Sequence, residues 1–174
     1  MNGSTIISLF SYTIPSLITG IIAYYFFNAH LKNEENRRRY KLLNDNQIHA
    51  LPLRLQAYER LSLFLERISP ANLLIRIAPL SENKNQYENL LINMIDQEFE
   101  HNLTQQIYVS NDAWTIIRTA KNATIQIIRK TNMSDRVTNA DKLRETILND
   151  LLENQPPSSV ALQYLKTEVL QLLQ

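Results

Sequence analysis

A chain of 174 residues has room for one ordinary domain besides any membrane segment. Its two glycines leave almost nothing for tight hairpins, phosphate-cradling loops or a dinucleotide fingerprint, and the absence of cysteine removes disulfides, thiolate zinc sites and cysteine nucleophiles together. The net charge of +1 conceals an asymmetry: Lys32, Arg37, Arg38, Arg39 and Lys41 gather in one short stretch, and the rest of the chain is slightly acidic, which is no electrostatic footprint for nucleic acid.

The first predicted element is an uncharged run from Ile6 to Phe27, dominated by Ile, Leu, Phe and Tyr. A helix of that length spans roughly 30 Å of hydrocarbon, so residues 1–30 are expected to form an N-terminal transmembrane anchor. A cleaved signal peptide fits less well, because residues 1–5 carry no Lys or Arg and no small-x-small cleavage site follows the run. The basic residues Lys32, Arg37, Arg38, Arg39 and Lys41 sit directly after the span. Since cytoplasmic flanks attract Lys and Arg, the amino terminus is expected outside and the bulk of the chain inside. The same side chains could hold anionic headgroups at about 1 kcal/mol each, although orienting the span needs no such role. Tyr24 and Tyr25 suit the bilayer interface, whereas Tyr12 lies too deep for it.

Within the span, Ser8, Tyr12, Ser16, Thr19 and Ala23 share one helical side, and Ser16 with Gly20 makes a small-xxx-small pair that would let another helix approach. The plainer reading is that the hydroxyls bond back to their own backbone. Pro15 should bend the helix modestly.

Residues 31–50 contain neither Pro nor Gly and read as a polar, basic helical stalk that Pro52 interrupts. From residue 51 to the end an all-α cytoplasmic domain of about four to five helices is expected. Its first helix, LPLRLQAYERLSLFLERI, carries Leu51, Leu55, Tyr58, Leu61, Leu65 and Ile68 at spacings of three and four. Leu53, Leu63 and Phe64 widen that stripe, which suggests a central helix with neighbours on several sides. Ser69 before Pro70 ends it or bends it sharply, and ANLLIRIAPL reads as either a two-turn helix or an extended piece.

A longer helical pattern then runs from Tyr87 through Leu91, Ile95, Phe99 and Leu103 to Ile107. Ser110 or Asn111 can cap the helix bearing Trp114, Ile117 and Ile125, in which Trp114 reads as a packing anchor. Asn139 can cap ADKLRETILNDLLEN, with Leu143, Ile147, Leu148 and Leu151 inward, and Pro156 and Pro157 stop it. The last helix, SSVALQYLKTEVLQLLQ, places Val160, Tyr164, Leu165 and Leu172 on one side.

Chemistry is thinly represented. Glu98 and His101 form a Glu-x-x-His pair of the type used in di-iron bundles, with Glu59 and Glu66 as conceivable bridging carboxylates. That pattern needs two such pairs, and His30 and His49 supply no second one. No nucleophile elbow, catalytic triad or cofactor fingerprint is present, so no catalytic residue and no cofactor is assigned. Sequons at Asn2, Asn102, Asn122 and Asn132 would matter only outside the cytosol.

The stretches LPLRLQAYERLSLFLERI, EFEHNLTQQIYVS and AKNATIQIIRK, following the anchor and NRRRY, resemble a family of uncharacterised single-pass membrane proteins of Bacteroidota, flavobacteria in particular, that carry a domain of unknown function. The resemblance covers nearly the whole chain and implies a bacterial inner-membrane location without any activity or site to carry over. The expected role is a membrane-anchored interaction or scaffold module, which contacts lipid through its first helix and engages a protein partner or another copy of itself. Two other expectations stand beside it: a helical-bundle enzyme or metal protein using Glu98 and His101, and a homo-oligomeric membrane organiser associating through Ser16 and Gly20.

Overall fold

The computed structural model describes the backbone of residues 3–173 and the side chains of residues 14, 15, 17–41, 50–151 and 154–173. The described residues are all-α: α1 (Gly3–Ile68), α2 (Pro70–Arg76), α3 (Lys84–Asn102), a 3-10 turn (Leu103–Ile107), α4 (Asn111–Asn132), α5 (Ala140–Glu153) and α6 (Pro157–Leu172), with no strand among them. Two compact units divide the chain, Met1–Ala50 and Leu51–Gln174.

In the first unit the described side chains of α1 stand out into their surroundings all the way round: Ile14, Leu17, Ile18, Ile21, Ile22, and the aromatics from Tyr24 to Phe27. Residues at these positions point in every direction of a helix with 3.6 residues per turn, so this segment has no apolar stripe facing a core of its own. Among the described residues, no helix is long and apolar enough to cross a membrane. The side chains of residues 6–13 and of Ser16, which make up much of the stretch expected to span, lie outside the described residues.

The second unit holds the core. From α1, Tyr58, Leu61, Leu65 and Ile68 are buried at the predicted spacing, Phe64 is buried beside them, and Leu51 and Leu55 of the same stripe are half-buried. Helical backbone continues through Pro52 rather than breaking there, although a proline in a helix gives up one backbone donor. Leu53 and Leu63 are exposed, so the apolar surface of this helix is narrower on its buried side than the sequence suggests. Pro70 occupies the first turn of α2, where its missing N–H costs nothing, and the ANLLIRIAPL segment is a short helix as far as Arg76, with Leu73 and Leu74 inward, and non-helical from Ile77 on. Counting the end of α1, the domain has more helices than the four to five expected, because α2 is a separate element.

Side-chain caps start three helices. Asn83 Oδ1 accepts from Asn85 N at 2.9 Å and Gln86 N at 3.2 Å, Ser110 Oγ accepts from Ala113 N at 3.0 Å, and Asn139 Oδ1 accepts from Lys142 N at 2.9 Å. Each satisfies a backbone donor that has no partner within its helix, worth about 1 kcal/mol. Helix α3 is tied to the far end of α4 by Lys84, whose Nζ donates to Asn132 O at 2.9 Å and Val137 O at 2.8 Å. A cation at a helix C-terminus also complements the helix dipole. The Tyr87 hydroxyl donates to Ile77 O at 2.7 Å and pins the α2–α3 connection.

Aromatic packing joins three helices in sequence: Phe64 of α1 lies 5.7 Å from Phe99 of α3, which stacks at 5.4 Å on Trp114 of α4. Lys121 Nζ sits 4.6 Å above the Phe99 ring and pairs with Asp96 at 2.6 Å, so Trp114 is the packing anchor that its sequence context suggests. Helix α6 docks through Ser158, Ala161 and Leu165. Val160, expected inward, is exposed instead, because small residues at 158 and 161 face the core and rotate Val160 away from it.

Candidate functional site

The residues singled out from sequence fall into three places. Glu98, on the last turns of α3, points into a pair of arginines. Its Oε1 accepts from Arg67 Nε at 2.8 Å and from Arg76 Nη1 at 3.4 Å, linking α1, α2 and α3. His101 is exposed, and Glu59 and Glu66 are exposed on α1. No group of three or more potential metal ligands occurs among the described residues. Two guanidinium groups on one carboxylate oppose the binding of a further cation there, so the geometry gives Glu98 a structural use that its spacing to His101 does not reveal.

The basic residues Lys32, Arg37, Arg38, Arg39 and Lys41 are all exposed, with Arg37 at 3.7 Å from Glu34. At 71% side-chain exposure for Arg37, that pair contributes little and leaves the cluster positive. Of the proposed packing stripe, Ser8, Tyr12 and Ser16 lie outside the residues whose side chains are described. Thr19 Oγ1 donates to Pro15 O at 2.8 Å, which is the back-bonding use of a helix hydroxyl. Thr19, Gly20 and Ala23 are exposed, and a Cβ placed on Gly20 would meet nothing within 4 Å.

A feature that sequence reasoning missed lies in the second unit. Residues 55–62 of α1 and residues 165–170 of α6 enclose an open groove of about 440 Å³. Leu55, Tyr58, Leu165 and Val169 give it an apolar floor, while Glu59 lines it from α1 and Lys166 from α6. The two charged side chains are exposed and form no ion pair with each other or with any other described residue. Beside the groove, the Tyr58 hydroxyl and Glu168 Oε2 are both buried without a hydrogen-bond partner, and Arg54 Nε is turned to Tyr108 O at 3.1 Å. Burial raises the Tyr58 pKa above its ordinary 10.0, the nearby Glu168 carboxylate raises it further, and Arg54 partly opposes both. Tyr87 is raised as well, chiefly by burial.

These two tyrosines give opposite expected results near neutral pH. Tyr87→Phe loses the bond to Ile77 and should cost about 1 kcal/mol, whereas Tyr58→Phe removes an unpartnered buried hydroxyl and should leave stability unchanged or slightly higher. Both phenols titrate higher in the folded chain than in the unfolded one, so the folded state holds its protons longer. Their titration therefore leaves stability unaffected below their unfolded value of 10.0, and stability falls as pH rises through the folded pKa values. Urea unfolding at pH 7 and above pH 10 checks this. Equal losses from the two substitutions at pH 7 would contradict the assignment of partners.

A second opening of about 420 Å³ lies between the C-terminal ends of α4 and α5, lined in part by Lys130, Arg136 and Asp150. It is lined by both signs of charge, and the neighbouring side chains 152 and 153 are not described.

No curated protein and no solved structure matches the chain. A family profile does match, over residues 4–172, and therefore across both units: the chain belongs to the family of unknown function DUF7935.

Proposed function

We propose that the protein is a membrane-tethered interaction module, in which the first unit anchors the chain in a bacterial inner membrane and the helical domain engages protein partners at the cytoplasmic face. The observation that carries this reading is the first unit's surface. Its described apolar side chains are exposed on every side of the helix, with Phe26 at 73% and Ile22 at 63%, and the uncharged run begins earlier, at Ile6. Apolar surface of that extent is stabilised by leaving water, at roughly 25 cal/mol per Å². Hydrocarbon surrounds a helix on all sides, which a groove on a protein does not.

The five basic residues after the run support an inward-facing domain. Confinement to a surface raises the effective concentration of partners that share it, so a small domain gains function from location. The reading in which Glu98 and His101 bind a metal finds less support, since Arg67 and Arg76 occupy the carboxylate. A role as a homo-oligomeric organiser is compatible with the tether, given the open space around Gly20.

Protease added to intact spheroplasts tests the arrangement. A tag at the carboxyl terminus should survive until detergent is added. Digestion of the tag in intact spheroplasts would overturn the proposed orientation.

A further inference from the structure

We propose that the α1–α6 groove is a self-association surface, in which two copies of the domain dock face to face about a twofold axis along the groove and set Glu59 of each opposite Lys166 of the other. The proposal names the partner for the interaction module described above and rests on that reading for the shared membrane that brings the copies together.

The argument begins with the distribution of charge. A groove built to receive an external segment of one sign would carry the other sign on both walls. Here the wall from α1 carries a single carboxylate, Glu59, and the wall from α6 a single ammonium, Lys166. Neither is paired within the chain among the described residues.

Rotation by 180° about an axis running along the groove exchanges the walls. The α1 wall of one copy then faces the α6 wall of the other, which is the requirement of an isologous interface: residue i meets residue j, and j meets i. Both ion pairs form at once, and no charge is left facing its like.

The apolar surface is consistent with the same exchange. Leu170, one turn beyond Lys166, is 62% exposed and lines the same groove as Leu55. Leu63, one turn beyond Glu59 on α1, and Leu173, just past the end of α6, are exposed as well. A monomeric domain gains nothing from leaving these leucines in water, whereas a face-to-face pair covers them. Apolar residues at the centre with charged residues beside them match the usual anatomy of an interface. A groove of this size does not by itself amount to the area of a long-lived complex in solution, but tethering two copies to one surface replaces a three-dimensional search with a two-dimensional one and lowers the affinity required.

The test is charge exchange in the full chain reconstituted into lipid vesicles, read by crosslinking and by energy transfer between labelled copies. The wild type should dimerise. Glu59→Lys and Lys166→Glu should each weaken association at least about tenfold, because each sets like charges against one another twice. The double exchange Glu59→Lys with Lys166→Glu should restore it, and mixing the two single variants should give a mixed dimer. Both positions are exposed, and an unchanged helical signal confirms that the variants fold.

A monomeric wild type overturns the proposal. So does a dimer that ignores both single substitutions, including one that responds only to Gly20→Leu in the first unit. Failure of the double exchange to recover association overturns the pairing of Glu59 with Lys166. Release of the chain from membranes would count against the tether and would leave these charge-exchange results to be judged separately.

Discussion

Phe64→Ala should lower the unfolding free energy of the helical domain by about 3–5 kcal/mol, the range for truncating a fully buried aromatic. Phe64 is 1% exposed and packs at a tilt against Phe99, which in turn stacks on Trp114, so its removal leaves a cavity between α1 and α3. The neighbours cannot close in easily. Phe99 is held from its other side by Trp114 and from above by Lys121, which is itself fixed by Asp96. A domain of this size is typically stable by about 5–15 kcal/mol, so the loss is a large fraction of the whole. Fluorescence of Trp114, the single tryptophan, reports on this domain without interference from the first unit. A change below about 1 kcal/mol in urea unfolding would mean that the stack does not support the fold.

The second large effect concerns the first unit. Ile18→Arg combined with Ile21→Arg places two guanidinium groups within the uncharged run, at about 2.5–3.5 kcal/mol each on insertion scales. Together they should move most of the chain out of the membrane fraction, while Trp114 fluorescence and the urea midpoint stay as in the wild type. The paired control, Ile18→Leu with Ile21→Leu, should remain with membranes. Retention of the arginine variant at the wild-type level would show that something other than burial of this helix in hydrocarbon holds the chain.

Much of the domain was legible because local rules and tertiary packing agree in it. Asn139 and Ser110 cap the helices that their positions predict, and Tyr58, Leu61, Leu65 and Ile68 face inward at helical spacing. Where the two levels conflict, the sequence misleads. Leu103 and Ile107 continue the apolar spacing of α3, yet they sit exposed on a 3-10 turn, because the chain must change direction before Ser110 can start α4. Val160 is apolar and exposed, since the face of α6 that approaches the core is made of Ser158, Ala161 and Leu165.

The candidate sites were harder to read, because their parts are distant in the chain. Glu98 meets Arg67 and Arg76 only after three helices have packed, so its spacing to His101 does not reveal these two partners. Glu59 and Lys166 are unremarkable surface charges until α1 and α6 place them on facing walls.

The tether is the claim on which location, effective concentration and self-association all depend. Alkaline carbonate washing of membranes from cells making the untouched chain tests it most directly. Recovery in the washed pellet is the predicted result, and release into the supernatant alongside peripheral proteins would contradict it.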